Sequence, residues 1–556
     1  MNKVNKILYW LHTIPKTEIK EGKSLIELTT YKGITMWWFA YFGFYYFIRR
    51  ILNDDFDSKQ RRNRFPVVVY RTIELFFDLM KLILARFFMY LYGRDKKKNQ
   101  GNKNKVPKIL FTAQDIEWRV IRDCETNSVK KSDAFFDSII KKLEGADKYK
   151  VVGIYPLNPS TLGLKIFIDK LKNWYILYRP FNIYWSLDVW KKEKEAFKHF
   201  KGIWGSLKDD ESFKELCSYN GKSIYKEMRK EFENYFFLLF PRAVKYIEIA
   251  KRMIEEEKPE LILIQNEYGD FERALVVGSR LKRVLTLTVQ HGIITPTHYG
   301  YIFDKEEKGK ITLPDKTCVF GQYHYDLLTK NSIYGPDQVV VTGQPRYDVL
   351  FYADKIYSKE RFFTEYKINP AHKIVLWTTQ CHGLSEEENN KNFKAVFKTM
   401  QNLKDTTLII KQHPGEREED TKMIEEFLSK YEISAVVTPK SSDTYEQLFV
   451  CDLMITRHST TAMEAVALNK PVVILNLSGE PDIVEYVQDG VALGVYKEEN
   501  LKLSIEKLLK DDSELAKSRA KYIEKYLYKI DGKATERVVK LIEEMIEELR
   551  RKKNEK

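Results

Sequence analysis

Cysteine is scarce in this chain of 556 residues, and the few that occur form no metal-binding or disulfide pattern. The five stand singly, at positions 124, 217, 318, 381 and 451, without a CxxC pair or a Cys/His spacing suited to zinc. Such usage is typical of a protein in a reducing cytoplasm. The first apolar run, residues 7–14, is short and is interrupted by His12, so it does not predict a signal peptide.

A membrane-spanning run is missing as well. The uncharged aromatic stretch at residues 34–48 falls short of the roughly 18–20 residues that a helix needs to cross a bilayer. Helix-turn-helix, RNP-like and zinc signatures are absent too, so we expect no nucleic-acid partner despite a net charge of +14. The positive charge instead favours phosphorylated small molecules or an anionic lipid surface.

Residues 1–107 are predicted to form a helical appendage rich in aromatic and basic residues. A helix predicted between residues 67 and 92 has one polar stripe on an otherwise apolar surface. The stripe recurs at steps of three and four residues, at Arg71, Glu74, Asp78 and Lys81. A basic run, residues 94–108, follows the helix. Two interpretations stay open: a helix packed on the next domain, or a segment lying in the headgroup plane of an anionic membrane.

From residue 108 onward, apolar β-branched runs alternate with helical patterns, which favours an α/β fold with parallel sheets. The first domain, residues 108–352, has predicted strands at 108–112, 150–155, 261–265, 285–289, 318–320 and 339–342. Its clearest predicted helices are 132–143, 161–171, 226–256 and 272–281. The second domain, residues 353–530, follows a linker near 352–370 and has predicted strands at 374–378, 407–411, 435–438, 453–456, 471–475 and 493–496. A charged helix, residues 531–556, ends the chain.

Two strands of the second domain end in polar signatures that predict a phosphate site. Lys411-Gln412-His413-Pro414-Gly415-Glu416 follows one strand, and Arg457-His458-Ser459-Thr460-Thr461 follows another. The carboxyl ends of parallel strands meet at one edge of a sheet, where α/β folds bind ligands. We therefore expect Lys411, His413, Ser459, Thr460 and Thr461 to bind the phosphates of a donor, with Ser459 as the N-cap of a short helix.

Other side chains of the second domain are predicted to contact the nucleotide. Glu464 lies about one turn into the helix after Ser459, where a carboxylate can bind ribose hydroxyls. Thr378 and Thr379 begin the sequence TTQCHG at the end of the domain's first strand, a usual phosphate-facing position.

The first domain supplies the candidate catalytic residues. Glu267 and Asp270 follow a buried strand, and either could act as a general base if burial raised its pKa toward neutrality. Gln290, His291 and Gly292 follow the next strand, with His291 as a third catalytic candidate or a contact for acceptor or donor. Arg346, in the sequence GQPRY, is expected to line a cleft between the domains.

With KQHPGE, RHSTTAMEA and VQHG in place, the chain resembles glycosyltransferases of the GT-B fold that build surface polysaccharides. More narrowly, it is similar to sialyl- and Kdo-transferases and to CDP-glycerol glycerophosphotransferases. The resemblance implies two Rossmann-like domains facing across a cleft. It also implies that His413, Ser459 and Thr460 hold the donor phosphate, that Glu464 binds the ribose, and that an acidic residue of the first domain is the base. No DxD motif stands at a strand end, which agrees with metal-independent chemistry and with no cofactor besides the nucleotide co-substrate.

The resulting expectation is an inverting glycosyltransferase that uses a CMP-, CDP- or UDP-activated sugar. Its acceptor would be a surface glycan or a lipid-linked precursor, and its location the cytoplasm or the inner face of the cell membrane. The alternatives are a glycerophosphotransferase and an isomerase of the UDP-N-acetylglucosamine 2-epimerase type. A nucleic-acid-binding protein and a non-catalytic scaffold for glycan assembly are weaker alternatives.

Overall fold

The structure is a computed structural model. It describes residues 9–52, 67–93, 106–123, 126–145, 148–157, 164–173, 176–219, 222–381, 384, 386–413 and 415–555. Most of the basic run 94–108, His382 and Gly383 of the TTQCHG sequence, and Pro414 of the KQHPGE sequence lie outside the described residues.

The N-terminal appendage has two long helices, α1 (Trp37–Leu52) and α2 (Val67–Gly93). Before them lie a 3₁₀ turn at Ile14–Lys16, a short helix at Leu25–Leu28 and two small hairpins, Glu18–Lys20 with Lys23–Ser24 and Thr30–Tyr31 with Ile34–Thr35. The aromatic stretch predicted at 34–48 is largely core, because Trp37, Trp38 and Phe44 are buried with the first domain's helices. None of the helices in the described part of the chain has the length and apolarity that crossing a bilayer requires.

The first domain is built on a seven-stranded parallel sheet. Its strands are β1 (Lys108–Thr112), β2 (Lys150–Tyr155), β3 (Leu177–Pro180), β4 (Leu261–Ile264), β5 (Leu285–Val289), β6 (Lys316–Val319) and β7 (Val339–Val341), in the order β7-β6-β5-β4-β1-β2-β3. The six predicted strands are present, and β3 was not predicted. The order reverses between β1 and β4, which is where a doubly wound sheet opens a ligand crevice.

Helices cover both faces of this sheet. They are α3 (Asp137–Gly145), α4 (Leu164–Lys172), α5 (Leu187–Leu207), α6 (Glu211–Leu216), α7 (Tyr225–Asn234), α8 (Phe240–Glu257), α9 (Asp270–Lys282) and α10 (Gln322–Asn331). A π turn at Tyr235–Leu239 joins α7 to α8 within the long helix predicted at 226–256.

The helix predicted at 132–143 begins later than expected. Residues Trp118–Arg122 pair antiparallel with Val129–Asp133, so a hairpin occupies the start of the predicted helix. Asp133 then accepts hydrogen bonds from the amides of Phe135 and Phe136, at 3.0 and 2.9 Å, which turns the chain before α3. This competition between a side-chain acceptor and the helical ladder is a usual property of aspartate.

The second domain carries a six-stranded parallel sheet in the order β10-β9-β8-β11-β12-β13. The strands are β8 (Lys373–Thr378), β9 (Thr406–Lys411), β10 (Ala435–Thr438), β11 (Leu453–Thr456), β12 (Val472–Leu475) and β13 (Leu493–Val495), which confirms all six predicted strands. Its helices are α11 (Lys359–Tyr366), α12 (Glu386–Gln401), α13 (Glu418–Lys430), α14 (Thr444–Val450), α15 (Thr461–Ala467), α16 (Asn500–Lys510) and α17 (Ser513–Tyr522). Two parallel sheets in Rossmann order confirm the predicted fold class.

The last helix, α18 (Ala534–Asn554), returns to the first domain. Val538, Ile542 and Ile546 are buried in the core that also contains β1 and α3. Asp348, in the connection between the domains, accepts hydrogen bonds from the amides of Ala534 and Thr535, both at 2.8 Å. The segment predicted as a charged terminal helix is therefore part of the first domain's packing.

Candidate active site

A cleft of about 1720 Å³ lies between the carboxyl ends of the two sheets. Of the residues predicted from the sequence, it brings together Asp270, His291, Gly292, Arg346, Thr378, Thr379, Lys411, His413, Ser459, Thr460, Thr461 and Glu464. Glu267 and Gln290 are the two candidates that do not line it.

His413 lies on the second domain's wall of the cleft, just past β9. Its Nδ1 accepts a hydrogen bond from the Gly415 amide at 3.0 Å. Because Nδ1 is an acceptor, the neutral ring carries its proton on Nε2, and Nε2–H is the kind of donor that a phosphate oxygen needs. The half-buried side chain is thus held in one tautomer by its own turn.

A buried carboxylate joins the ends of β8 and β9 behind this histidine. Glu416 accepts hydrogen bonds from the Thr379 hydroxyl and from the Cys381 amide, both at 2.9 Å.

Lys411 donates to the carbonyl oxygens of Pro439 and Lys440, at 3.3 and 2.6 Å. Burial and the nearby charge of Arg119 lower the pKa of Lys411 to about 8. Lys411 therefore reaches the cleft while also fixing the loop after β10.

The hydroxyl cluster after β11 faces the same cleft. Ser459 Oγ accepts hydrogen bonds from the Thr461 amide at 3.2 Å and from the Thr461 hydroxyl at 2.7 Å. The backbone N-cap of α15 is Thr460, one residue later than predicted, because Ser459 closes a local turn two residues ahead instead of capping the helix. The Tyr486 hydroxyl donates to the Ser459 carbonyl at 2.9 Å and anchors the turn.

Glu464 is a buried carboxyl group at the floor of this wall. Burial raises its pKa to about 7, although the charge of Arg346 and a hydrogen bond from Tyr445, at 3.4 Å, act in the opposite direction. The Glu464 carboxyl group can therefore be either protonated or ionised near neutral pH. Ribose binding by Glu464 stays a prediction.

The first domain's wall contains a carboxylate–histidine pair that the sequence did not reveal. Glu117 Oε1 lies 3.4 Å from His291 Nε2 and accepts a hydrogen bond from Gln265 at 3.0 Å. Burial alone would raise the pKa of Glu117, but the hydrogen bond with His291 and the charges of Arg119 and Arg346 lower it to about 2. An ionised carboxylate on Nε2 leaves Nδ1 of His291 as the proton acceptor.

Arg346 lines the cleft and lies between its two walls. Its Nη1 lies 3.9 Å from Glu117 Oε2, and its side chain is largely buried. Burial would lower the pKa of Arg346, but Tyr445, Glu117 and Glu464 together raise it above its ordinary value. A fixed positive charge therefore stands between the carboxylates of the two domains.

Two further acidic residues of the first domain line the cleft. Asp270 pairs with Arg242 at 2.6 Å. Glu272, which the sequence placed only as the start of a helix, accepts a hydrogen bond from Gln114 at 2.6 Å. Burial raises the pKa of Glu272 to about 7. A base role for Asp270 stays a prediction.

Glu267 and Gln290 hold the sheet together behind the cleft. Glu267 is buried and accepts hydrogen bonds from the hydroxyls of Thr288, Thr317 and Tyr334. Gln290 donates to the Gly292 carbonyl at 2.7 Å and accepts from the Phe320 amide at 2.8 Å. Glu267 is separated from the cleft because Thr288 on β5, Thr317 on β6 and Tyr334 before β7 offer it three hydroxyl donors inside the domain.

Residues 211–544 match the sequence model of a family described as CDP-Glycerol:Poly(glycerophosphate) glycerophosphotransferase. The chain belongs to this family. The match spans more than half of the chain and includes His291, Lys411, His413 and Ser459, whereas Glu117 lies outside it. The family resemblance inferred from the motifs is thereby confirmed. Of the families named in that resemblance, the one matched is the glycerophosphotransferases.

One curated relative of this chain is the teichoic acid poly(ribitol-phosphate) polymerase of Bacillus spizizenii, which is 27% identical over 201 residues. That match covers 34% of this chain and 30% of the relative's length.

Several solved structures resemble this one at low identity. An S. aureus MnaA–UDP structure has a TM-score of 0.48 at 16% identity, covering 78% of this chain and 95% of that chain. The UDP-GlcNAc 2-epimerase of Neisseria meningitidis bound to UDP-GlcNAc has a TM-score of 0.49 at 14% identity, covering 79% and 100%. The wall teichoic acid polymerase TagF soaked with CDPG has a TM-score of 0.44 at 12% identity, covering 87% and 100%.

Proposed function

We propose that the chain transfers a polyol phosphate, in the first instance glycerol phosphate, from a CDP-activated donor to a hydroxyl of a polymeric or lipid-linked acceptor. This choice among the alternatives follows the family to which the chain belongs. The observation that supports it most strongly is the pairing of His291 with Glu117 across one cleft from His413 and Ser459.

The donor's phosphates fit the second domain's wall. His413 offers Nε2–H, and the turn from Ser459 to Thr461 offers hydroxyl groups and backbone amides. Such donors stabilise negative charge that collects on a leaving phosphate. Arg346 and the buried Lys411 add positive charge to the same cleft.

The acceptor hydroxyl is activated from the opposite wall. His291 takes the hydroxyl proton on Nδ1, and Glu117 stabilises the imidazolium that forms. The hydroxyl oxygen then forms a bond to the polyol-bearing phosphorus, and the bond from that phosphorus to the bridging oxygen breaks. CMP leaves with the electron pair, so the acceptor gains one polyol phosphate for each CMP released.

Transfer of a sugar from a nucleotide sugar, with attack at an anomeric carbon, is the second candidate. The same cleft and the same phosphate contacts would serve it, and the family match does not select it.

A location at the inner face of the cell membrane is part of the proposal because a lipid-linked acceptor would lie there.

The test is a product analysis with the full chain. Purified protein is incubated with CDP-glycerol or UDP-N-acetylglucosamine, with and without an acceptor primed with glycerol phosphate. The proposal expects CMP release with CDP-glycerol and an acceptor whose mass grows by glycerol phosphate units. A sugar added to the acceptor from UDP-N-acetylglucosamine would favour the glycosyltransferase instead, and a new epimer without acceptor would favour the isomerase.

A further inference from the structure

A two-stranded hairpin of the first domain reaches across the cleft toward the second domain. Its strands, Trp118–Arg122 and Val129–Asp133, pair antiparallel between β1 and α3. At the turn end of the hairpin, Arg122 Nη2 lies 3.7 Å from Glu446 Oε1 of α14. The guanidinium carbon of Arg122 lies 5.8 Å from the centre of the Tyr357 ring, which also belongs to the second domain. The hairpin therefore bridges the two walls of the cleft.

The alternation of side chains along the first strand of the hairpin directs Arg119 into the cleft. Trp118 is buried in the first domain's core, where its ring lies 5.5 Å from that of Tyr178. Because successive side chains of a strand point to opposite faces, Arg119 faces away from that core, and it lines the cleft. Arg119 Nε donates to the Ile116 carbonyl at 2.7 Å, and Nη2 lies 3.3 Å from Glu117 Oε2. These two contacts fix the guanidinium group in place.

Part of the Arg119 guanidinium remains available to a ligand. An arginine carries five N–H donors in a planar fork, and Nη1 of Arg119 donates to none of the residues that the structure describes. The Arg119 side chain is 35% exposed, whereas that of Glu117 is 1% exposed. A ligand that enters the cleft therefore meets a fixed guanidinium with free donors.

The centre of the cleft holds more positive charge than one carboxylate balances. Arg346 Nη1 lies 3.9 Å from Glu117 Oε2, so the guanidinium groups of Arg119 and Arg346 share one carboxylate. Arg346 Nε is buried and has no hydrogen-bond partner within the described part of the chain. Two guanidinium groups held close together repel each other, so the site favours a further anion between them.

The charge of Arg119 also acts on the second domain. Burial and the charge of Arg119 lower the pKa of Lys411 to about 8. Burial raises the pKa of Glu464 to about 7, and the charges of Arg346 and Arg119 oppose that rise. Lys411 and Glu464 belong to the wall that binds the donor's phosphates in the proposed function. Arg119 thus stands between that wall and the carboxylate–histidine pair that activates the acceptor.

We propose that Arg119 donates from Nη1 to a non-bridging oxygen of the phosphoryl group that is transferred, which is the β-phosphate of the nucleotide-activated donor. This inference rests on the proposed function, since that phosphorus is the one that the acceptor hydroxyl attacks. The planar fork of arginine matches phosphate geometry, and its fixed charge stabilises the negative charge on the phosphoryl oxygens during transfer. No proton passes through Arg119. Arg119 lies outside residues 211–544, so the family match does not assign this role.

Nucleotide binding by the full chain, without acceptor, isolates the β-phosphate. Isothermal titration calorimetry measures Kd for CMP and for CDP, which differ by that phosphate, in wild type, Arg119→Gln and Arg119→Lys. The matched control is Lys131→Gln, which removes a charge from the other strand of the same hairpin. Lys131 does not line the cleft and pairs with Asp169 at 2.7 Å. Circular dichroism melts establish that each variant is folded, and UMP and UDP are measured in the same way.

We expect wild type and Lys131→Gln to bind CDP at least tenfold more tightly than CMP. Arg119→Gln should lose about tenfold in CDP affinity and keep its CMP affinity within about twofold, and Arg119→Lys should lose less because it retains the charge. An undiminished preference for CDP in folded Arg119→Gln, or an equal loss for CMP and CDP, would overturn the role of Arg119 alone. Binding of uridine nucleotides but not cytidine nucleotides by wild type would overturn the CDP donor instead, and the UMP–UDP pair would then decide the role of Arg119.

Discussion

Replacing Glu117 by glutamine tests the catalytic role of the buried carboxylate beside His291. The pKa of Glu117 is about 2 rather than 4.5, a difference of about 2.5 pKa units. At 1.36 kcal/mol per unit, the surroundings favour the ionised form by about 3 kcal/mol. His291, Arg119 and Arg346 share this interaction, and the hydrogen bond with His291 is the largest favourable part.

If one third of that energy, about 1 kcal/mol, stabilises the imidazolium, its loss slows the chemical step by about fivefold. The glutamine amide can also donate to His291 and reverse its tautomer, which in the serine proteases costs on the order of 10⁴-fold. We therefore expect kcat for CMP release to fall by at least about fivefold in Glu117→Gln, with little change in KM for the donor.

Glu257→Gln is the matched control for Glu117→Gln. Glu257 is equally buried and accepts hydrogen bonds from Lys108 at 2.8 Å and Tyr184 at 2.6 Å, but it does not line the cleft. The control should lose stability and keep kcat. An unchanged kcat in Glu117→Gln, or an equal loss of kcat in the control, would refute the assignment of Glu117.

Two further variants probe the opposite wall and the buried acids. His413→Ala should reduce CMP release by about 10²-fold or more because the leaving phosphate loses a preorganised donor, whereas the exposed His199→Ala on α5 should not; equal rates in both would contradict the role of His413. Glu272 has its pKa raised to about 7 by burial, so its contribution to stability is present below pH 4.5 and is lost as the pH rises toward 7. Urea unfolding should therefore show Glu272→Gln gaining about 2 kcal/mol relative to wild type between pH 5 and pH 8, and a pH-independent difference would show that the carboxyl group is not buried as described.

The strands that place the site were predictable because buried parallel strands are short runs of apolar residues bounded by polar loops. All of the second domain's strands, and with them the positions of His413 and Ser459, followed from this pattern. β3 escaped because Leu177–Pro180 is short, has an arginine at position 179, and lies in a stretch of charged and aromatic residues without periodicity. The hairpin at Trp118–Arg122 escaped because charges at positions 119, 130 and 131 hide its alternation.

Glu117 could not be found from the sequence because its environment is assembled from distant segments. It lies in the loop after β1, but the groups that lower its pKa come from the hairpin, from the loop after β5 and from the connection after β7. The only local signal was its place past the end of a strand. Glu267 shows the converse: its position after β4 suggested a base, whereas hydroxyls from two neighbouring strands and from Tyr334 keep it inside the domain.

The orientation of α2 depended on a similar long-range contact. Its amphipathic pattern was plain, but a pattern does not say which face meets the protein. Lys245, more than 150 residues further along the chain, decides this by pairing with Glu74 and Asp78.

The central claim is that the strand ends of the second domain bind one donor within the cleft that His291 faces. Hydrogen–deuterium exchange with and without saturating CMP or CDP measures this directly. The account predicts that peptides covering residues 411–418 and 457–464 are protected together, while the peptide covering 500–510 is unchanged. Protection of only one of the two strand-end peptides, or protection confined to another part of the chain, would contradict it.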